Sequence, residues 1–225
     1  DPGLHFSGYL DHIVLQDWYN AFLPEHFPAD ETDGEFDSWE QTFAVIDLRL
    51  GELFAINHRF VDVDIVGRPL KRKWDVTVAS PWLQGNMQVP FVFDSGVVFK
   101  LDLERLLLIE PLEGEEDYAD ELDPRDLPSM VGRIDDFALG AMRFGKLDLD
   151  IERVANGVRS RKLVTKSDSF TTNSSSDWLV IDNAQRTRLH MELKSTDFED
   201  TLRDLDYSPM MSGEEATVSV DLLWE

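Results

Sequence analysis

Five histidines are the side chains best suited to proton transfer or metal binding at neutral pH, but their spacing matches no metal-binding motif. They are His5, His12, His26, His58 and His190. The chain has no cysteine, which excludes disulfides and thiolate metal sites. It also contains no Gly-x-Ser-x-Gly elbow, P-loop or Gly-x-Gly-x-x-Gly fingerprint. We therefore predict neither a cofactor nor a resident metal.

Three pairs of aspartates have the residue type needed for a carboxylate acid–base dyad, namely Asp62/Asp64, Asp135/Asp136 and Asp148/Asp150. A hydrolase built on such a dyad needs two carboxyls that converge in a pocket, at least one with a raised pKa. Closely spaced carboxylates on the polar side of a strand normally serve solubility instead. We therefore predict that the chain is not an enzyme.

The charge is strongly acidic, with 45 acids against 21 bases and a formal net charge of −24. Two acidic runs, 30–40 and 113–123, have no apolar periodicity and are predicted to be solvated loops. Such a charge disfavours a nucleic-acid groove, which needs clustered cations. Two basic clusters lie near predicted turns and are the candidate sites for anionic headgroups. They comprise Arg68, Lys71, Arg72 and Lys73, and Arg159, Arg161, Lys162 and Lys166.

The elements that position these residues are predicted mainly by alternation of apolar and polar residues with a period of two. In one example, Trp74, Val76 and Val78 alternate with Asp75 and Thr77. The same alternation recurs in both halves of the chain. Since successive side chains of a strand point to opposite faces, each segment has one apolar and one polar face. This pattern is typical of antiparallel sheet.

Turn and helix signals separate the alternating segments. Asn156-Gly157 favours a tight hairpin, and Gly67-Arg68-Pro69 is a second turn signal. Two short amphipathic helices are predicted, over 16–23 and over 197–206. Asp197 is the expected N-cap of the second helix.

A sheet with one apolar face must cover that face. One interpretation is a closed β-sandwich or barrel, which would suit an interaction module of the cell envelope without a lipid role. The other is a curled sheet whose apolar face forms an open groove. Composition alone favours the closed form.

From about Gly3 to its end the chain resembles the YhdP branch of the AsmA-like family. The resemblance lies in an ordered series of short motifs, each weak when taken singly. They are GLHFSGYLDHIVLQDWYNAFL from Gly3, WDVTVASP followed by LQG from Trp74, DPRDLP from Asp123, FGKLDL from Phe144, SDW from Ser176, RTRL from Arg186, STDF from Ser195 and VDLLW from Val220. The two acidic runs are longer and more charged than is usual in the family.

The resemblance implies a curled, mainly antiparallel U-shaped groove of the bridge-like lipid-transfer type, with the two helices and no catalytic residues. It implies a periplasmic section, 1–225, of a longer protein that is tethered to the inner membrane by an anchor outside this sequence. Sub-sections 1–112 and 123–225 would be joined by an acidic loop, 113–122. The implied function is conduction of phospholipid between inner and outer membrane, which maintains the outer-membrane barrier. The implied partners are phospholipid acyl chains and neighbouring sections of the same protein.

The residues predicted to line the groove are apolar positions from the alternating segments. An ordinary closed core is an equally good interpretation of each residue taken singly. They are Ile46, Leu48, Val61, Val63, Trp74, Val76, Leu149, Ile151, Leu189, Met191, Leu193, Val218 and Val220.

Overall fold

A computed structural model describes residues 3–15, 43–55, 58–70, 73–90, 96–109 and 123–224. These residues form twelve strands and one complete helix. The elements are β1 Leu4–Val14, β2 Phe43–Ala55, β3 His58–Leu70, β4 Lys73–Ala79, β5 Leu83–Pro90, β6 Phe99–Leu108, β7 Met130–Leu139, β8 Met142–Val154, β9 Gly157–Lys166, β10 Phe170–Ile181, β11 Ala184–Ser195, α1 Phe198–Asp204 and β12 Ala216–Trp224. The prediction of a mainly β chain is confirmed.

All twelve strands belong to one sheet, in which each strand pairs with its neighbours in sequence order. Most of the pairs are antiparallel, as predicted. Two are not: β1 pairs with β2 in parallel, and β6 with β7 in parallel. A parallel pair needs a long connection that returns the chain to the same end of the sheet. The two acidic runs, 30–40 and 113–123, fall in these two long connections.

The sheet is curled but not closed, because β1 and β12 end the strand order without pairing with each other. Within the described ranges no second sheet lies against it, so the closed β-sandwich interpretation is wrong. The two edge strands carry large exposed apolar side chains, including Phe6 on β1 and Leu222 on β12.

Curling gives strands β2 to β8 an interior that is formed, in the part of the chain that the structure describes, by the sheet alone. Ten buried residues form one cluster that joins β2 and β3 to β6, β7 and β8. Leu50, Val63 and Ile134 are each 0% exposed. A bond across the curl accompanies this cluster, since His58 Nδ1 lies 2.9 Å from the carbonyl oxygen of Ile109.

A kink across β2 and β3 alters the predicted alternation. Asp62 has φ of 52°, in the left-handed region, and lies opposite Gly51 in the register between Leu50↔Val63 and Glu52↔Val61. The buried apolar side chains of β3 are consequently Phe60 and Val63, three positions apart. The strand alternation therefore places Val61 on the opposite face, and the prediction that Val61 and Val63 share one face is wrong.

The predicted turns differ in outcome. Asn156-Gly157 lies in the β8–β9 hairpin, as expected. Gly67-Arg68-Pro69 lies inside β3, where Pro69 pairs with Trp74, so this predicted turn is wrong. A turn not predicted joins β10 to β11, with φ of 53° at Asp182 and 63° at Asn183. Two successive positive φ values are typical of a type I′ hairpin.

The second predicted helix is confirmed as α1, with Asp197 as its N-cap accepting a hydrogen bond from the backbone N–H of Asp200. The first predicted helix, 16–23, lies outside the described residues. Buried Thr201 donates a hydrogen bond to the carbonyl oxygen of Ser169, 3.1 Å away, and Ser169 donates one to Asp204, 2.6 Å away. These bonds hold α1 on the β9–β10 turn.

Candidate functional site: the apolar face

The register aligns apolar side chains into rows that cross the sheet, because directly paired residues of neighbouring strands point to the same face. We call the surface formed by these rows the apolar face. The first row contains Leu48, Ile65, Val78, Gly85, Leu103, Ile134, Leu147, Thr165, Thr172, Leu193 and Val218. The second row contains Ile46, Gly67, Val76, Met87, Leu101, Gly132, Leu149, Leu163, Ser174, Met191 and Val220.

The opposite surface, which we call the charged face, carries ion pairs between neighbouring strands. Arg49 Nε lies 2.8 Å from Asp64 on β3, and Arg133 of β7 lies 3.0 Å from Asp102 of β6. Lys162 of β9 lies 3.3 Å from Asp148 of β8. Exposed pairs of this kind contribute little to stability. Their effect is to keep the charged face of the sheet hydrated, while the opposite face remains apolar.

The apolar face has a sealed part and an accessible part. In β2 to β8 the rows pack into the buried cluster, where Val63 is 0% exposed and Leu48 is 6% exposed. Towards β12 the apolar face opens to solvent. On β11 Leu193 is still buried and Leu189 and Met191 are half-buried, whereas on β12 Val218 is 40% and Leu222 is 46% exposed. Among the described residues, the apolar side chains of this face that a ligand can reach most easily therefore lie on β12 and along part of β11, whereas the protein itself covers the deepest residues of β2 to β8.

The predicted lining residues divide between these two parts. Those packed in or against the buried cluster are Ile46, Leu48, Val63 and Leu149. Those on the last two strands are Leu189, Met191, Leu193, Val218 and Val220. Trp74, Val76 and Ile151 lie half-buried on the same face, and Val61 lies off it. The structure thus brings all but Val61 onto one face, and their contact with lipid stays a prediction.

A strip of hydroxyl side chains interrupts the apolar rows at β9 and β10. Thr165 and Thr172 are both buried, and their hydroxyl oxygens lie 2.7 Å apart. Ser160 accepts a hydrogen bond from the backbone N–H of Ser176 at 2.6 Å. The sequence carries a signal for this strip: Thr172, Ser174 and Ser176 recur with a period of two, the same period as the apolar residues of the neighbouring strands.

An aromatic group and α1 cover one end of strands β7 to β10. The rings of Phe137 and Phe144 have centroids 5.7 Å apart, and Phe144 meets Phe170 edge to face at 6.2 Å. The helix reaches over this end and contacts β8, although β11 and β12 flank it in sequence. The opposite end of the strands, where Trp178 and Trp224 lie, has no such cover among the described residues.

The sequence places the basic cluster Arg159–Lys166 near a predicted turn. In the structure the cluster lies along strand β9 and not at a hairpin tip. Three of its cations are already paired on the charged face: Arg159 with Asp177, Arg161 with Glu152, and Lys162 with Asp148. The pKa of Glu152 is lowered, chiefly by its hydrogen bond with Arg161. The first cluster lies partly outside the described residues, where Lys71 and Arg72 fall.

The aspartate pairs bind cations and do not face each other in a pocket. Asp64 pairs with Arg49, Asp136 with Arg105 and Asp148 with Lys162. These observations count against the dyad hypothesis.

One row on the charged face brings together Ser175, His190 and Asp221. His190 Nδ1 lies 2.8 Å from Asp221 Oδ1. Within the described residues no hydrogen bond joins Ser175 to His190, and both His190 and Asp221 are exposed. The row lacks the serine–histidine contact that nucleophilic catalysis requires.

Comparison with known proteins completes the description of this face. No described helix has the length and apolar character needed to cross a bilayer. No curated protein and no solved structure matches the chain. The family model described as YhdP protein matches residues 1–225, the whole of the sequence. The chain therefore belongs to the YhdP family.

Proposed function

We propose that this chain is a periplasmic section of a bridge-like protein that conducts phospholipid between the inner and outer membranes. The observation that carries the proposal is the apolar face itself: rows of mostly apolar side chains run across eleven of the twelve hydrogen-bonded strands, and among the described residues no second layer covers the last of them. Membership of the YhdP family, which is associated with the bacterial envelope, supports this location.

The physical basis is the cost of moving an acyl chain through water, about 0.8 kcal/mol for each exposed methylene group. A continuous apolar surface removes most of this cost without gripping any one atom of the lipid. The accessible strands β11 and β12 offer such a surface through Leu189, Met191 and Val220. The charged face keeps the outside of the sheet solvated, so only one side attracts acyl chains.

The two edge strands suggest how the surface continues. An unpaired edge presents free backbone N–H and C=O groups and is a template for pairing with another strand. At β12, Leu222 is 46% and Trp224 is 48% exposed. Pairing with a neighbouring section of the same protein would cover β12 and extend the apolar rows. An anchor outside this sequence would tether the whole to the inner membrane. The role needs no catalytic group or cofactor in this section.

Native mass spectrometry of the gently purified chain tests the proposal. We expect bound phospholipid on the wild type. Val220→Asp places a charge on the apolar face of β12 and should reduce the bound fraction at least about tenfold. The matched control Ser219→Asp adds the same charge to the charged face, one residue away, and should leave binding within about twofold. A lipid-free wild type, or equal loss in both variants, would favour an interaction module without lipid.

A further inference from the structure

Among the described strands, Arg153 is the single Lys, Arg, Asp or Glu that the regular pairing places on the apolar face. Among the strands that the structure describes, the register places every other Lys, Arg, Asp and Glu of the paired rows on the charged face or at a kink or bulge. Arg153 pairs with Val158, which is buried, whereas its neighbour Glu152 pairs with Arg159 on the charged face. Its position therefore follows from the same alternation that buries Leu147 and half-buries Leu149 and Ile151.

Within the described part of the chain no carboxylate pairs with the Arg153 guanidinium. Its backbone N–H donates a hydrogen bond to Ser129 Oγ at 2.9 Å. Other arginines of the sheet, such as Arg49, Arg133 and Arg159, do have carboxylate partners. A half-buried cation on an apolar surface is costly unless an anion joins it.

The surroundings of Arg153 suit the head of an amphiphile. Its row continues through Val158 to Trp178, Thr187 and Trp224, at the end of the strands opposite α1. The Trp178 indole N–H donates to Gln185 Oε1 at 2.9 Å, and its ring is half-buried. Tryptophan suits a boundary between apolar and polar surroundings because one part of its ring system is apolar and one is polar. From this row the apolar face extends inward along Ile151 and Leu189.

We infer that Arg153 binds the anionic phosphate of an amphiphile whose acyl chain lies along the apolar face. A guanidinium matches phosphate oxygens with two parallel hydrogen bonds, which a point charge cannot do. The inference rests on the proposed lipid role and adds to it a position and a charge for the head of the ligand. It assigns the selective contact to one residue at the uncovered end of β8 rather than to either basic cluster.

Two probes with one oleoyl chain and different heads test the inference, namely oleoyl lysophosphatidic acid and the uncharged monoolein. We expect the wild-type chain to bind lysophosphatidic acid about tenfold more tightly than monoolein in titrations below the micelle concentration. Arg153→Gln should abolish this preference while leaving the affinity for monoolein within about twofold. Arg153→Lys keeps the positive charge but cannot form the two parallel hydrogen bonds of a guanidinium, so it should retain part of the preference.

Arg143→Gln is the matched control, because Arg143 is an exposed arginine at the other end of the same strand. It should leave both affinities unchanged. An Arg153→Gln variant that folds, judged by circular dichroism, and keeps the preference would overturn the inference and leave the lipid role standing. If neither probe binds the wild type, the proposed function fails as well. Displacement of lysophosphatidic acid by inorganic phosphate at similar concentration would mean a site for free phosphate and would overturn the inference too.

Discussion

His58 on β3 donates a hydrogen bond across the curl to the carbonyl oxygen of Ile109, just after β6, with Nδ1 2.9 Å from the oxygen. Strands β4 and β5 lie between them in the sheet. Because the carbonyl oxygen can only accept, the ring nitrogen must carry the proton in this bond. The two strands can meet in this way because the β4–β5 hairpin between them is short and the sheet bends over it.

The curl predicts that the sealed part behaves as an ordinary protein core. Leu50→Ala should lower the free energy of unfolding by about 2–5 kcal/mol, since Leu50 is 0% exposed in the cluster. Leu223→Ala on β12 is the control, because Leu223 is 74% exposed, and it should change stability by less than about 0.5 kcal/mol. Urea denaturation measures both. Equal effects would mean that strands β2 to β8 do not enclose a sealed core.

The hydroxyl contacts of α1 should hold the helix in place. Thr201→Val keeps the shape of the side chain and removes hydrogen bonds to Ser195 Oγ and to backbone carbonyl oxygens. The substitution should lower the free energy of unfolding by about 1–3 kcal/mol, because Thr201 is buried and its removal leaves its hydrogen-bond partners unsatisfied. Thr217→Val on exposed β12 should be neutral. Hydrogen exchange at the amides of 198–204 would show whether the helix itself loosens, and unchanged exchange would contradict this role.

Acid should weaken the β8–β9 pair. The pKa of Glu152 is lowered in the folded chain by Arg161, so the unfolded state binds the proton more tightly. The resulting stability is present above the usual glutamate pKa of about 4.5 and is lost as pH falls below it. Glu152→Gln should therefore reduce the slope of unfolding free energy against pH between about 5 and 3. An identical slope in wild type and variant would contradict the assignment.

The parallel β6–β7 pair joins the two halves of the sheet, and a disulfide tests its register. Asp102 and Arg133 are direct partners on the charged face. The double variant Asp102→Cys/Arg133→Cys should oxidise to an intramolecular disulfide in this otherwise cysteine-free chain. Asp102→Cys with Asp135→Cys, whose second position is not its register partner, should crosslink far less. Mass spectrometry under non-reducing conditions distinguishes them.

The strands and α1 were predictable because their signals are local. Alternation over Trp74–Val78 and the N-cap Asp197 depend only on residues close in sequence. The parallel pairs were not predictable in this way, because pairing of Leu103 with Ile134 is decided by the path of a long connection and not by the pattern of either strand. Pro69 shows that a local signal can also mislead. Its type predicts a turn, but the sheet accommodates it inside β3, where it pairs with Trp74.

The sequence predicts which side chains of the candidate site share the apolar face. It does not predict which of them a ligand can reach. Alternation assigns Leu48 and Met191 equally to an apolar face. Only the curl, which buries Leu48 and leaves Met191 half-exposed, separates a core residue from one that a ligand can reach. Arg153 was missed because a single arginine at the end of an alternating segment looks like an ordinary strand terminus until its pairing with Val158 is known.

The most direct test of the account is photocrosslinking from adjacent residues of β11 that face opposite sides of the sheet. A benzoylphenylalanine at Met191 would lie on the apolar face, and one at Glu192 would lie on the charged face. In cells or with added phospholipid, the account predicts that irradiation attaches lipid at position 191 and not at position 192. Absence of lipid at position 191, or equal labelling at both positions, would contradict it.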